Sequence, residues 1–116
     1  MLSENLISEV VKFIESQIDS AEMIISGKVV PMEILRTESK GNMLKVFTNA
    51  SSGKGEVTDI VLKDAKGNVV ITKPDSVLKA TGYSLVASFY IRIREVEIDD
   101  PINIFELGKE RKDESI

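Results

Sequence analysis

Apolar residues recur at helical spacing in the first twenty positions and at every second position in most of the remaining chain. In the first part they return every three or four residues, which places them on one face of an α-helix. Ser3 is a candidate N-cap and Glu4 is an acidic residue in the first turn, where it is favourable. The pattern predicts a helix over residues 3–20. Its apolar stripe consists of Ile7, Val10, Val11, Ile14 and Ile18, widened on one side by Leu6 and Phe13.

From residue 22 to residue 98 the period is two, which is typical of strands with one buried face. Turns rich in Gly, Asn and Ser separate the strand patterns, and too little helix lies between them for parallel crossovers. Pro31 cannot donate to a ladder, so the second strand is expected to lie at an edge or to begin there. The strand patterns cover residues 23–25, 30–38, 43–48, 56–63, 69–72, 77–79 and 84–98, with a turn or kink at 26–28.

Three strands carry further expectations. In the strand 56–63, Thr58, Ile60 and Leu62 share one face, and Val57 and Val61 share the other. The strand that begins at residue 69 is expected to stop before the proline at position 74. The last strand changes parity near residues 94–95, which indicates a β-bulge or a strand that leaves the sheet there.

These patterns predict an α+β fold: an N-terminal helix followed by a mainly antiparallel β-sandwich or meander of six to seven strands. Residues 1–107 form a single domain in this interpretation. Residues 108–116 are charged and low in apolar content, which predicts a flexible tail.

Composition excludes several kinds of chemistry. The 116 residues contain no His, Cys or Trp, which removes disulfides, thiolate nucleophiles, Cys/His zinc sites and every Ser-His-Asp triad. The net charge of −4 argues against a nucleic-acid partner, which needs clustered cations. No apolar stretch is long enough for membrane insertion, and no basic-then-apolar signal peptide begins the chain.

Two loops invite a functional interpretation, and a structural one fits each better. Residues 52–55, SGKG, resemble the end of a phosphate-binding loop, but Thr48 and Gly55 stand where that motif needs Gly and Ser or Thr. Residues 64–68, DAKGN, resemble part of a calcium loop, but Lys66 places a cation among the ligands.

Asp99 and Asp100 point to opposite sides of an extended chain, so their spacing makes no catalytic pair. We therefore expect no cofactor, metal or catalytic residue. An enzyme built from Asp, Glu, Lys, Ser and Tyr is the least favoured class.

Three surfaces are candidates for protein contacts. The helix stripe packs on its own sheet in one interpretation, and in another it also self-associates, because residues 7, 11, 14 and 18 follow coiled-coil spacing. A face of the last strand is either a contact surface or a solvated face balanced by Glu95 and Glu97. A C-terminal apolar patch could dock on a neighbour. The candidate interaction residues are Ile7, Val11, Ile14, Ile18, Tyr90, Arg92, Arg94, Ile104, Phe105 and Leu107.

The stretch Gly55 to Glu95 begins GEVTDIVLKDAKGNVV, continues past Lys73 and Lys79, and ends with the strand pattern Leu85 to Glu95. It resembles the N-terminal, particle-proximal domain of phage tail-fibre and tail-collar proteins, in which a hairpin of the type G-x-x-I-x-E-x-G-L-x-D-x-x-G-x-L-x-A leads to a final strand. Asp59 stands where that family often has Glu, and Val61 where it often has Gly.

The resemblance covers about a third of the chain. It implies a non-enzymatic structural protein of a phage or prophage tail or baseplate, made in the bacterial cytoplasm and located in the virion tail. Its expected partners are copies of itself and other tail or baseplate proteins. The alternative is a small-ligand or carbohydrate-binding β module, for which Tyr83 and Tyr90 are the available aromatic platforms.

Overall fold

A computed structural model describes residues 1–96 of the chain. Within that range one α-helix precedes six β-strands, as the alternation of apolar residues predicts. The sequence expectations for residues 97–116, including the end of the last strand, the C-terminal apolar patch and the charged tail, lie outside the described residues. The elements are α1 (Glu4–Gln17), β1 (Ser20–Ile25), β2 (Lys28–Lys40), β3 (Met43–Ala50), β4 (Gly55–Lys63), β5 (Val69–Lys79) and β6 (Leu85–Arg92).

The described strands form one sheet in the order β5-β4-β1-β2-β3-β6, and every neighbouring pair is antiparallel. The sheet curls into a nearly closed barrel, so the expected antiparallel arrangement is confirmed but a sandwich of two facing sheets is not. β2 makes the curl possible, because its first part pairs with β1 and its second part with β3. A register shift between Ile34 and Arg36 lies within the part that pairs with β3 and leaves Leu35 exposed. Across the remaining gap, Lys73 Nζ on β5 donates a hydrogen bond to the Ser88 carbonyl on β6 at 2.9 Å.

Alternate residues of the strands point inward and form the core. The burial of β1 and β3 alternates strictly between partly buried and buried positions. Thr48 is a polar member of the core, and its hydroxyl donates to the Ala87 carbonyl at 3.1 Å, so its polarity is satisfied. The largest fully buried side chains are Met23, Leu44, Ile60, Leu62, Val11, Val46 and Val57.

The helix packs on the inner face of β2 and β3, and its Val11 belongs to the same core cluster as Leu44 and Val46. The Ser3 hydroxyl accepts the Leu6 N–H at 3.0 Å, which confirms the N-cap. Ser39 Oγ on β2 donates to Glu15 at 3.0 Å and ties the last turn of the helix to the sheet. The prediction of a helix up to residue 20 was too long. Ile18 is extended, and the Asp19 N–H already bonds to the β4 backbone.

Prolines lie where the sheet tolerates a missing N–H. The expectation that the strand with Pro31 lies at an edge or begins there was wrong, because β2 lies between β1 and β3 and begins at Lys28. Pro31 pairs with Glu22 of β1 and precedes Glu33, where the pairing with β3 begins. The prediction that Pro74 ends its strand was wrong. β5 runs from Val69 to Lys79 through this proline, because it is an edge strand of the sheet.

The backbone corrects one further expectation, on the faces of β4, and bears on the end of the last strand. The register of β4 against β1 shifts between Val57 and Asp59, so Thr58 is exposed and Val57 is buried together with Ile60. The sequence had placed Thr58 with Ile60. At the other end of the sheet, β6 stops at Arg92, so the described backbone fits the second alternative given for its end, a strand that leaves the sheet.

Candidate interaction surfaces

The DAKGN loop is the tip of the β4–β5 hairpin, as the sequence indicates. The Asp64 carboxylate accepts backbone N–H groups from Lys66 at 2.9 Å and Asn68 at 2.8 Å, and the Asn68 side-chain amide at 3.3 Å. Gly67 has a φ of 85°, a left-handed conformation that glycine adopts without steric cost. Asp64 therefore serves as the acceptor that closes the turn.

These hydrogen bonds give the turn a pH dependence. The Asn68 backbone N–H, followed by the smaller contributions of its side chain and of Lys66, lowers the pKa of Asp64 below the ordinary value for Asp. A lowered folded-state pKa adds stability above the unfolded-state pKa, and this stability is lost as the pH falls through the folded-state value. An NMR titration is expected to give Asp64 a midpoint below that of an unstructured Asp, and the Lys66 and Asn68 amide signals should follow it. A midpoint at or above the ordinary value contradicts this role.

The SGKG loop precedes a strand and not a helix. Gly55 already belongs to β4, and the Gly53 carbonyl accepts a hydrogen bond from the buried Lys79 Nζ at 2.8 Å. A phosphate-binding loop instead directs backbone N–H groups at the anion from a helix N-terminus. Over residues 1–96 no group of three or more acidic side chains is placed to hold a metal ion. Within the same range no helix has the length and apolarity to cross a bilayer.

The predicted helix stripe faces the chain's own sheet. Val11 is 0% exposed, and Ile14 and Ile18 pack against the core as partly buried residues. Ile7 lies near the helix start and lines a shallow cleft of about 340 Å³ with Gly41 and Asn42 of the β2–β3 turn. The interpretation that this stripe packs on the chain's own sheet is confirmed for Val11, Ile14 and Ile18. Self-association through the stripe stays a prediction.

A second apolar strip lies on the exposed flank of the helix, and the sequence interpretation missed it. Leu2 precedes the helix, and Leu6, Val10 and Phe13 follow at intervals of four, four and three residues. All four side chains are exposed, and Phe13 is 64% exposed. The sequence interpretation had placed Val10 in the packed stripe and Leu6 and Phe13 at its margin. The sequence shows the spacing of these apolar residues. It does not show which part of a wide apolar face packs inward, because that depends on where the helix packs on the sheet. We call these four residues the helix strip.

The outer face of β6 continues across β3 to β2. Tyr90 is 62% exposed, and its ring meets Phe47 of β3 edge to face with centroids 6.2 Å apart. Lys45 Nζ lies 6.0 Å from the Tyr90 ring centroid, and the Arg36 guanidinium lies 5.0 Å from that of Phe47, both within cation–π range. Arg92 Nε contacts the Met43 sulfur at 3.3 Å. We call Arg36, Lys45, Phe47, Tyr90 and Arg92 the cationic aromatic face.

The acid expected to balance this face lies elsewhere. Glu95 accepts the Leu2 backbone N–H at 2.9 Å and lies 3.7 Å from the N-terminal ammonium group. Arg94 is exposed beyond the end of β6, and Glu97 lies outside the described residues. Glu38 provides the ion pair seen on the face, 3.1 Å from Arg36. The sequence could identify Tyr90 and Arg92, but not their neighbours, which come from other strands.

The two tyrosines of the carbohydrate alternative line different clefts. Tyr83 lines one of about 370 Å³ with Leu78 and Leu85 at the β5–β6 turn. Tyr90 borders one of about 380 Å³ between β5 and β6, together with Lys73. Their rings therefore do not combine into one stacking platform.

The described residues thus offer two exposed surfaces with a definite chemical character, the helix strip and the cationic aromatic face. Comparison of the chain with protein-family models, with curated proteins and with solved structures gives no match in any of the three.

Proposed function

We propose that this chain is a non-enzymatic structural component of a phage or prophage tail or baseplate, and that it acts through contacts with copies of itself and with other tail proteins. The helix strip is the observation that supports an assembly role. A helix in a single-domain protein needs one apolar face, and α1 already packs such a face on the sheet through Val11. A second, exposed set of apolar side chains next to it is typical of a protein contact.

The strip is suited to a helix-to-helix or helix-to-groove contact. Leu6, Val10 and Phe13 lie on one flank of a capped helix that the sheet holds in place. A partner that covers these side chains gains the hydrophobic free energy of their burial without first having to order the helix. The assignment to a tail particle itself comes from the resemblance of Gly55 to Glu95 to the particle-proximal tail-fibre domain.

A single substitution in the helix strip tests the assembly role. Phe13→Glu is expected to weaken self-association at least tenfold, because a partner would have to bury a carboxylate in place of a ring. Asn5→Glu is the matched control, since it adds the same charge at an exposed position outside the strip. Sedimentation velocity at several micromolar concentrations measures both. A wild-type chain that is a strict monomer and also binds no tail protein contradicts the proposal.

Partner capture tests the tail assignment separately. Tail and baseplate proteins encoded beside this chain should be retained on the wild-type protein and on Asn5→Glu, and retained less on Phe13→Glu. A glycan or metabolite screen that gives a clear ligand, with no retention of tail proteins, would favour the small-ligand alternative instead.

A further inference from the structure

Positive charge is concentrated on the outer face of β2, β3 and β6, although the whole chain has a net charge of −4. The strand register places Arg36 opposite Phe47, Lys45 opposite Tyr90, and Arg92 opposite Met43, all on the face that points away from the core. Lys40 pairs with Met43 on the other side and belongs to the same outward set. Among the described side chains of this outward set, the acidic ones are Glu33, opposite Asn49, and Glu38, opposite Lys45, so two acids stand against the four cations.

The rings at the centre of this face define what it can bind. Phe47 and Tyr90 present apolar surface that the neighbouring cations border, and Tyr90 is largely exposed. An acidic segment that also carries apolar side chains would satisfy both features: its carboxylates would pair with Lys45 and Arg92, and its apolar groups would cover the rings. A purely acidic or a purely apolar partner would match one feature and leave the other unmatched.

The chain contains such a segment. Residues 97–107, EIDDPINIFEL, carry four acidic residues and no Lys or Arg. Five apolar residues alternate with or follow these acids, and Phe105 and Ile104 among them were predicted to form a contact patch. An extended segment of this length spans roughly 36 Å, which exceeds the width of three strands at about 4.8 Å spacing. Charge, apolar content and length therefore all fit the cationic aromatic face.

The described end of the chain favours a neighbouring copy as the donor. After β6 the Ile93 N–H bonds to the Asn42 carbonyl at 2.9 Å, and Glu95 binds the Leu2 backbone at the start of the helix. The helix packs on the inner face of the sheet with Val11 in the core, so this path leads away from the outer face. We propose that residues 97–107 of one copy bind the cationic aromatic face of the next, a head-to-tail contact that produces a ring or a filament. This inference rests on the self-association proposed above.

A charge exchange in the full-length chain tests it. The face variant carries Lys45→Glu and Arg92→Glu, and the segment variant carries Asp99→Lys and Asp100→Lys. Each variant alone is expected to weaken self-association by about tenfold or more, because like charges then meet across the contact. Mixing the two should restore association, since the positive segment of one variant meets the negative face of the other. Lys28→Glu with Lys66→Glu, two exposed hairpin positions, is the matched control and should associate like the wild type.

The outcomes separate this inference from the assembly role itself. If Phe13→Glu disrupts self-association while the face and segment variants behave as the wild type, the helix strip mediates assembly and the inference is wrong. Failure of the mixture to associate also overturns it. So does loss of binding to a single-stranded oligonucleotide in the face variant with assembly unchanged, because that assigns the face to nucleic acid.

Discussion

Leu62→Ala is expected to lower the free energy of unfolding by about 2–5 kcal/mol, the range for removing a large aliphatic side chain from a packed core. Leu62 is 0% exposed and lies in β4, opposite Ala21 of β1 and Ile71 of β5. Strands on both sides hold its position, so the surroundings have little freedom to collapse into the cavity. Urea unfolding at one fixed protein concentration measures the loss, and holding the concentration constant removes the contribution of self-association.

Leu78→Ala is the matched control, because it removes the same atoms from a leucine that is 82% exposed. Leu78 lies on β5, an edge strand, and its substitution is expected to change the unfolding free energy by no more than about 0.5 kcal/mol. Similar losses for Leu62→Ala and Leu78→Ala would contradict the inward and outward faces assigned to β4 and β5.

The local elements of this fold follow from the sequence because local patterns specify them. The apolar period of the helix, the Ser3 cap and the Gly67 turn each depend on residues within a few positions of one another. The closure of the sheet depends on pairing between segments far apart, such as β1 with β4 and β3 with β6. The alternation of apolar and polar residues shows that a strand has an inner face, but it does not show which strands pair with it. A barrel and a sandwich therefore share the same sequence pattern.

The errors in strand boundaries have the same physical origin. Pro74 ends a strand only if its N–H is needed by a neighbour, and at the sheet edge it is not needed. Thr58 leaves the expected face because a register shift against β1 makes it an extra residue in β4. Both outcomes depend on which strands pair and in what register, which is a property of the whole topology.

The residues of the candidate surfaces could be predicted from the sequence to different extents. Tyr90 and Arg92 stand on one strand at a spacing of two, so the sequence could place them together. Phe47, Lys45 and Arg36 join them through cross-strand register, which the sequence did not supply. The sequence therefore predicted a charged, aromatic stripe on one strand. The pairing of β6 with β3 and of β3 with β2 extends this stripe into a face wide enough to bind a peptide segment.

A second large loss of stability is expected where the β1–β2 turn contacts the start of β4. Gly55 has a φ of 126°, a conformation open essentially to glycine alone, and a Cβ added there would collide with Ser26 Oγ. The Ser26 backbone is fixed in turn, because its N–H donates to the Glu56 carbonyl at 2.9 Å. Gly55→Ala is therefore expected to lower the free energy of unfolding by about 3 kcal/mol, from backbone strain and steric overlap together.

A double-mutant cycle separates these two contributions. Gly67→Ala is the control for backbone strain alone, since its φ of 85° is left-handed but no atom lies near the added Cβ, and a loss of about 1–2 kcal/mol is expected. Ser26→Gly in the Gly55→Ala background removes the colliding hydroxymethyl group and should recover the steric part of the loss. Urea unfolding of the four variants in the cycle measures the coupling. If Ser26→Gly recovers nothing, the two residues are not in contact, and the placement of the β1–β2 turn against the start of β4 is wrong.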